Sequence, residues 1–123
     1  DAATALGCNV GAIVKSLLFS TGNSFVLCLV SGDKRCSLNK LKKILDEKNV
    51  SMAKPDDVKK ITGYTIGGVS PVGHLNKVKI YIDTNLERFK TVFAAAGHPN
   101  CVFEINFNQL IKLTNGQMKE IAE

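Results

Sequence analysis

The sequence has no C-x-x-C pair, no apolar run approaching a membrane span, no G-x-S-x-G elbow and no glycine signature of a nucleotide-binding loop, and each absence removes a class of function. Without paired spacing, the four cysteines Cys8, Cys28, Cys36 and Cys101 do not read as a metal centre. They read as reduced thiols of a cytoplasmic protein, with Cys28 inside the apolar run Phe25–Val30. The longest apolar stretches are broken by Lys15, Ser20 and Gly22, short of the ~20 residues that a membrane-spanning helix needs. The segment from Asp1 to Gly7 lacks the basic leader and apolar run of a signal peptide. It reads as the tail of a helix capped by Gly7, so the chain is expected to begin inside a larger protein. No cofactor, no metal and no membrane partner is expected.

A chain of 123 residues, 45% hydrophobic and 22% charged, suits one compact domain over residues 1–123. Its net charge of +5 is concentrated. Lys34, Arg35, Lys40, Lys42, Lys43 and Lys48 crowd one segment, and Lys54, Lys59 and Lys60 follow, a pattern that fits either a phosphate-contacting surface or the solvated side of amphipathic helices. Aromatic residues are few there, which argues against a base-stacking platform for single strands.

Two apolar runs, Ile13–Ser20 and Ser24–Ser31, flank Gly22-Asn23 and predict a β-hairpin. Ser37 is placed to cap a helix running to about Leu45, and a short strand is expected around Val50–Ala53. Pro55–Thr62 has proline and acids first, lysines last and Gly63 beyond, the polarity of a short helix. Val78–Asp83 alternates as a strand, and Thr84 or Asn85 should start a short helix that includes Leu86 and Phe89. A strand over Thr91–Ala95 should stop at the break Gly97–Asn100, followed by a strand Cys101–Ile105 and an Asn106-capped helix to Leu113. Strands mixed with short helices and lacking regular β-α-β order indicate an α+β fold around a mixed sheet.

Lys15 stands out within Gly11–Phe19, because strand alternation groups it with Ile13, Leu17 and Phe19 while Val14, Ser16 and Leu18 face the other way. Both faces read as buried. A buried ammonium needs a partner, which can be an anion of the protein, an anion of a substrate, or solvent reached along its own stem. Two glycine-bearing tracts supply further candidates. Tyr64–His74 holds Gly67, Gly68, Ser70, Pro71, Gly73 and His74, and a loop of that composition can bring backbone amides close to a phosphate or a reacting carbonyl, or simply make a tight turn. Ala94–Pro99 offers small residues for a confined pocket or for close packing, and its His98, like His74, could titrate near neutral pH.

Taken in order, Gly11–Phe19, Met52–Pro55, Thr62–His74 and Phe93–Pro99 resemble the YbaK family, the prolyl-tRNA-synthetase-associated editing domain, over almost the whole chain. The resemblance implies a mixed twisted sheet, partly barrel-like, with short surrounding helices, and a start lacking the family's N-terminal helix and strand. It implies hydrolysis of Cys-tRNA(Pro) or Ala-tRNA(Pro), in cis or in trans to prolyl-tRNA synthetase; the competing reading is a noncatalytic tRNA-binding module. Lys15 would hold the acceptor end, and amides around Gly68 would polarise the scissile carbonyl. Ser16, Gly67, Ser70, Pro71, Gly73, His74, Ala96, Gly97 and His98 would line the substrate site, with water or a substrate hydroxyl as nucleophile. Ser16 stands where cysteinyl-specific members often carry threonine.

Only Arg35 and Arg88 among the basic residues are arginines, so phosphate contacts would be made mostly by flexible lysines. Binding of tRNA by this chain is expected to be weak and to fall steeply between low and moderate salt. A filter-binding titration across that range checks it, and salt-independent affinity would contradict it.

Overall fold

Residues 2–98 and 101–123 are described in the computed structural model. The hairpin forms where the apolar runs demand it: β1 (Val14–Ser20) and β2 (Phe25–Ser31) pair antiparallel from Val14 opposite Ser31 to Ser20 opposite Phe25. The short β3 (Ser51–Met52) pairs antiparallel with the end of β1, at Phe19 and Ser20. On the far side of β2, β4 (Lys79–Asp83) and then β7 (Gln117–Lys119) add in parallel, giving a five-stranded mixed sheet of order β3-β1-β2-β4-β7. A separate antiparallel ribbon joins β5 (Thr91–His98) to β6 (Cys101–Asn106). The main sheet thus has two open edges and does not close, which corrects the expectation of a partly barrel-like form.

Strand alternation divides the core in two. Val14, Leu18, Leu27, Leu29, Ile80 and Ile82 project to one face, where Val92, Ala94, Phe107 and Leu110 cover them. Phe19, Val26, Cys28, Val30 and Tyr81 project to the other, against Leu41 and Ile121. Leu27, Leu29 and Ile82 are fully buried, and each such side chain contributes about 1.5–3 kcal/mol relative to exposure.

The helices end where the sequence signals them. The Oγ of Ser37 accepts from the Lys40 amide at 3.2 Å to open α2 (Leu38–Leu45), after α1 (Ala2–Leu6) has stopped at Gly7. Pro55 opens α3 (Pro55–Thr62), which closes on Gly63, and Asn106 caps α4 (Phe107–Thr114) through its side chain. Three departures from expectation follow from non-local contacts. Thr84–Arg88 is a 3-10 turn with Phe89 just beyond it; β5 continues through Gly97 to His98; and β7 appears only because β4 offers a parallel edge. The remainder of the Gly97–Asn100 break, Pro99 and Asn100, lies outside the described residues. No helix among the described residues is long and apolar enough to cross a membrane.

One carboxylate closes the C-terminal segment onto the sheet. Asp83 is fully buried; its Oδ1 accepts from the amides of Ile121 and Ala122, each at 3.0 Å, and its Oδ2 from the Asn85 amide at 3.1 Å. Removing it strands three donors, and each buried unsatisfied group costs roughly 1–3 kcal/mol. Asp83→Ala should therefore lower stability by about 3 kcal/mol or more in urea unfolding; a loss below about 1 kcal/mol would show that the carboxylate does not hold the segment.

Candidate active site

Because β3 covers only Phe19 and Ser20, residues Val14–Leu17 have no strand partner on that edge among the described residues. Beside this open edge lies a cavity of about 370 Å³, walled by β1, Ala53 after β3, the Gly67–Val69 loop and Phe93 and Ala95 of β5. Isolated bridging of Ile13 to Phe93 ties the ribbon to the start of β1. Exposed Ile66 and Met52 stand at its rim. Most of the lining is apolar. The exception that faces it is Ser16, whose buried Oγ has no hydrogen-bond partner among the described residues.

Lys15 also lines the cavity, yet its ammonium turns to the opposite face of the sheet and donates to the carbonyl of Lys34. A peptide carbonyl, rather than a carboxylate, thus solvates it. The lysine and arginine ion pairs among the described residues are Lys40 with Glu120 at 3.6 Å and Arg88 with Asp33 at 2.9 Å. The second of these holds the entry to β1. Arg88 contacts both Asp33 oxygens and the Ser31 Oγ, Ser31 donates to the Gly11 carbonyl, and a Cβ on Gly11 would lie 2.8 Å from the Phe89 ring. The guanidinium bond holds the Asp33 carboxyl below its ordinary range, so this contribution is present above that range and is lost as pH falls through the lowered value.

The glycine loop is a β-turn followed by a rigid bend. The Gly68 amide donates to the Thr65 carbonyl at 2.9 Å, with Gly67 at φ +88, which is the glycine position of a type II turn. Of the amides around Gly68 expected to polarise a carbonyl, that of Gly68 itself is therefore engaged within the loop. Gly67, whose own amide a turn of this type leaves outside its closing bond, is the loop glycine at the cavity.

The remaining expected site residues divide by location. Pro71, Gly73 and His74 line a different cavity, of about 540 Å³, between the loop, β4 and the end of α4. Ser70 is buried, and its carbonyl lies 2.7 Å from His74 Nε2; since a carbonyl only accepts, that nitrogen carries the proton. Ala96 is exposed, and the cavity wall is made one residue earlier by Ala95. Exposed His98 pairs with Cys101 at the ribbon's end. The sequence thus brought Lys15, Ser16 and Gly67 to the cavity but missed Ala53, Val69, Phe93 and Ala95 as its walls. Their only sequence signal was membership of the motifs around them.

Tyr64 explains two of the glycines. Its hydroxyl donates to the Val72 carbonyl at 2.7 Å and its ring meets that of His74 edge-on. A Cβ on Gly73 would come within 2.7 Å of that hydroxyl, and one on Gly97, at φ +95, within 3.1 Å of the ring. Both glycines serve the approach of two segments to one aromatic ring. Among the described residues no cluster of His, Cys, Asp or Glu could hold a metal ion.

The comparisons with known proteins agree with one another. Residues 1–113 match the family model described as "Aminoacyl-tRNA editing domain". The chain is 31% identical over 122 residues to the "Putative Cys-tRNA(Pro)/Cys-tRNA(Cys) deacylase EbsC" of Enterococcus faecalis, covering 98% of this chain and 74% of that protein. It is 33% identical over 108 residues to a "Proline--tRNA ligase" of Fervidobacterium nodosum, covering 88% of this chain but 18% of the ligase. A crystal structure described as "a putative trans-editing enzyme for prolyl tRNA synthetase" superimposes with a TM-score of 0.95 at 38% identity, covering 99% of this chain and 77% of that one.

The Tyr64 joint yields a stability expectation. Gly97→Ala forces an L-residue into a left-handed conformation against the ring and should cost about 1–3 kcal/mol. Tyr64→Phe, which loses one hydrogen bond, should cost about 1 kcal/mol. Thermal unfolding compares them; equal stability of both variants with the parent would remove the joint.

Proposed function

This chain belongs to the aminoacyl-tRNA editing domain family, and on that premise we propose that it is an ester hydrolase that removes wrongly attached amino acids from tRNA(Pro). The observation that carries the reading is the cavity of about 370 Å³ at the open edge of β1, which gathers the Ser16 hydroxyl and Gly67, with the Lys15 ammonium just across that edge. An aminoacyl ester is already activated, so the site needs to orient it and to stabilise charge on one oxygen.

In this reading the amino-acid side chain enters among Ala53, Val69 and Phe93, and the terminal ribose and phosphate pass over the open edge of β1 to the far face, where the Lys15 ammonium lies. The Lys15 ammonium, with one donor directed to the Lys34 carbonyl, keeps two more for the acceptor end. Water adds to the carbonyl carbon, with a substrate hydroxyl accepting a hydrogen bond from it to activate it; the acyl–oxygen bond to the ribose breaks and a proton given up by the water passes to the ribose oxygen. The amino acid leaves as its carboxylate and the tRNA regains its hydroxyl. The Gly67 amide, in place of Gly68, donates to the developing oxyanion, a contact of a kind worth roughly 3–4 kcal/mol. Ser16 meets the side chain of the amino acid. Its unpaired hydroxyl gains a partner from a thiol and none from a methyl group, which favours cysteinyl over alanyl esters. Prolyl-tRNA synthetase, in cis or in trans, is the partner that brings the tRNA.

Deacylation of Cys-tRNA(Pro) and Ala-tRNA(Pro) by the purified protein tests this, alongside Lys15→Ala and Gly67→Ala. We expect hydrolysis of the cysteinyl ester, a loss of at least about tenfold in kcat/KM for Lys15→Ala, and roughly a hundredfold for Gly67→Ala. Bound tRNA without hydrolysis of either ester would instead make this a noncatalytic binding module. Full activity of Lys15→Ala would remove the role given to that lysine.

A further inference from the structure

The face of the sheet turned away from the cavity carries a second group of reactive side chains that the deacylase reading does not use. Register sets Cys28 of β2 beside Leu17 of β1 and Tyr81 of β4, on the face that also bears Lys15. Cys28 is fully buried. Cys36, half-buried in the segment leading into α2, packs against the same apolar cluster and is fixed there on both sides. It bridges to Ala122, and the amide of Ser37 donates to the Ile121 carbonyl at 2.7 Å. Both thiols are free and belong to one apolar cluster, Cys28 in its fully buried part and Cys36 at its half-buried margin, close enough for each to act on the other's proton.

Burial makes the two sulfurs unequal, since Cys36 can be reached from solvent and Cys28 cannot, and their electrostatics run the same way. Interaction with Cys28 holds the Cys36 thiol below its ordinary range, and the Lys15 charge acts in the same direction; burial and the carboxylates of Asp83 and Glu123 oppose them. Cys28 is pushed up, first by the same interaction, then by burial and by Cys36 and Asp83. One sulfur is thus suited to attack, and the other keeps its proton until it is needed.

We propose that Cys36 and Cys28 form a peroxide-reactive dithiol, with Cys36 the attacking sulfur and Cys28 the resolving one, that closes an intramolecular disulfide between β2 and the segment before α2. The Cys36 thiolate attacks one oxygen of hydrogen peroxide, the O–O bond breaks, and the departing hydroxide takes up a proton to become water, leaving a sulfenic acid. Cys28 then attacks the Cys36 sulfur; the S–O bond breaks and the hydroxyl leaves as water with the Cys28 proton. Two thiols are oxidised by two electrons, one peroxide is reduced, and two waters form. Side chains that share one packed cluster need only a short approach to bond, and the anchored backbone on either side of Cys36 keeps it beside Cys28.

The test uses the full chain carrying Cys8→Ser and Cys101→Ser, reduced and then treated with hydrogen peroxide. The intact mass should fall by two hydrogens, both alkylatable thiols should disappear, and a reductant should restore them. Adding Cys36→Ser should abolish the change, and adding Cys28→Ser should trap a sulfenic acid at Cys36 that a dimedone probe labels. Peptide mapping that finds both thiols free after treatment, with a native near-ultraviolet dichroism spectrum, would overturn the proposal. If the core variant Cys28→Ser does not fold, the parent and the Cys36→Ser comparison decide alone. None of these readouts depends on deacylation.

Discussion

The whole arrangement depends on β2 being buried on both faces. A strand with solvent on one side would carry polar residues at every second position, whereas Val26 to Val30 are all apolar and all inaccessible. Such a strand can exist only if both faces are covered. That requirement draws the β5–β6 ribbon, α3 and α4 to one side and α2 with the C-terminal segment to the other. The neighbour β1 then inherits two unlike surroundings, and its period of two distributes chemistry between them: Ser16 toward the cavity, Lys15 toward the carbonyl of Lys34.

The same sorting governs how polar groups are paid for. Asp83 is deeply buried and has no ion pair with an arginine or lysine among the described residues; three backbone amides take that place. Lys15 is served by a peptide carbonyl in the same way. Main-chain dipoles are fixed by the fold and cost no side-chain entropy to hold, so they suit charges that must remain in one position. Ser16 is the contrasting case, a hydroxyl for which the fold supplies nothing. A group left in that condition has a reason to exist only if something else completes it.

What could be read in the sequence was local. Gly22-Asn23 between two apolar runs, Ser37, Pro55 and Asn106 each carry their structural consequence within a few residues, and the hairpin and three helices appear where they indicate. Parallel pairing leaves no such mark. Nothing near Gln117 says that it will lie beside Tyr81, and nothing near Asp83 says that it will bind Ile121. In the site, the motif level was legible and the single-residue level was less so. Gly67 and Gly68 are indistinguishable as letters; only the turn decides which amide is engaged. Nothing in the letters of Gly73 and Gly97 says that both also make room for Tyr64, one at its hydroxyl and one at its ring, since that residue is distant in sequence from Gly97.

The unpaired margin of β1 has a consequence for how this molecule would change over time. Peptide groups are carried by every residue type, so a contact made to the backbone along Val14–Leu17 does not depend on which side chains that stretch carries. On the proposed reading, change at Ser16, Ala53, Val69 or Phe93 would retune which amino acid fits the cavity while any such main-chain contact stayed constant. Replacing side chains one at a time would register the first property and be blind to the share carried by the main chain.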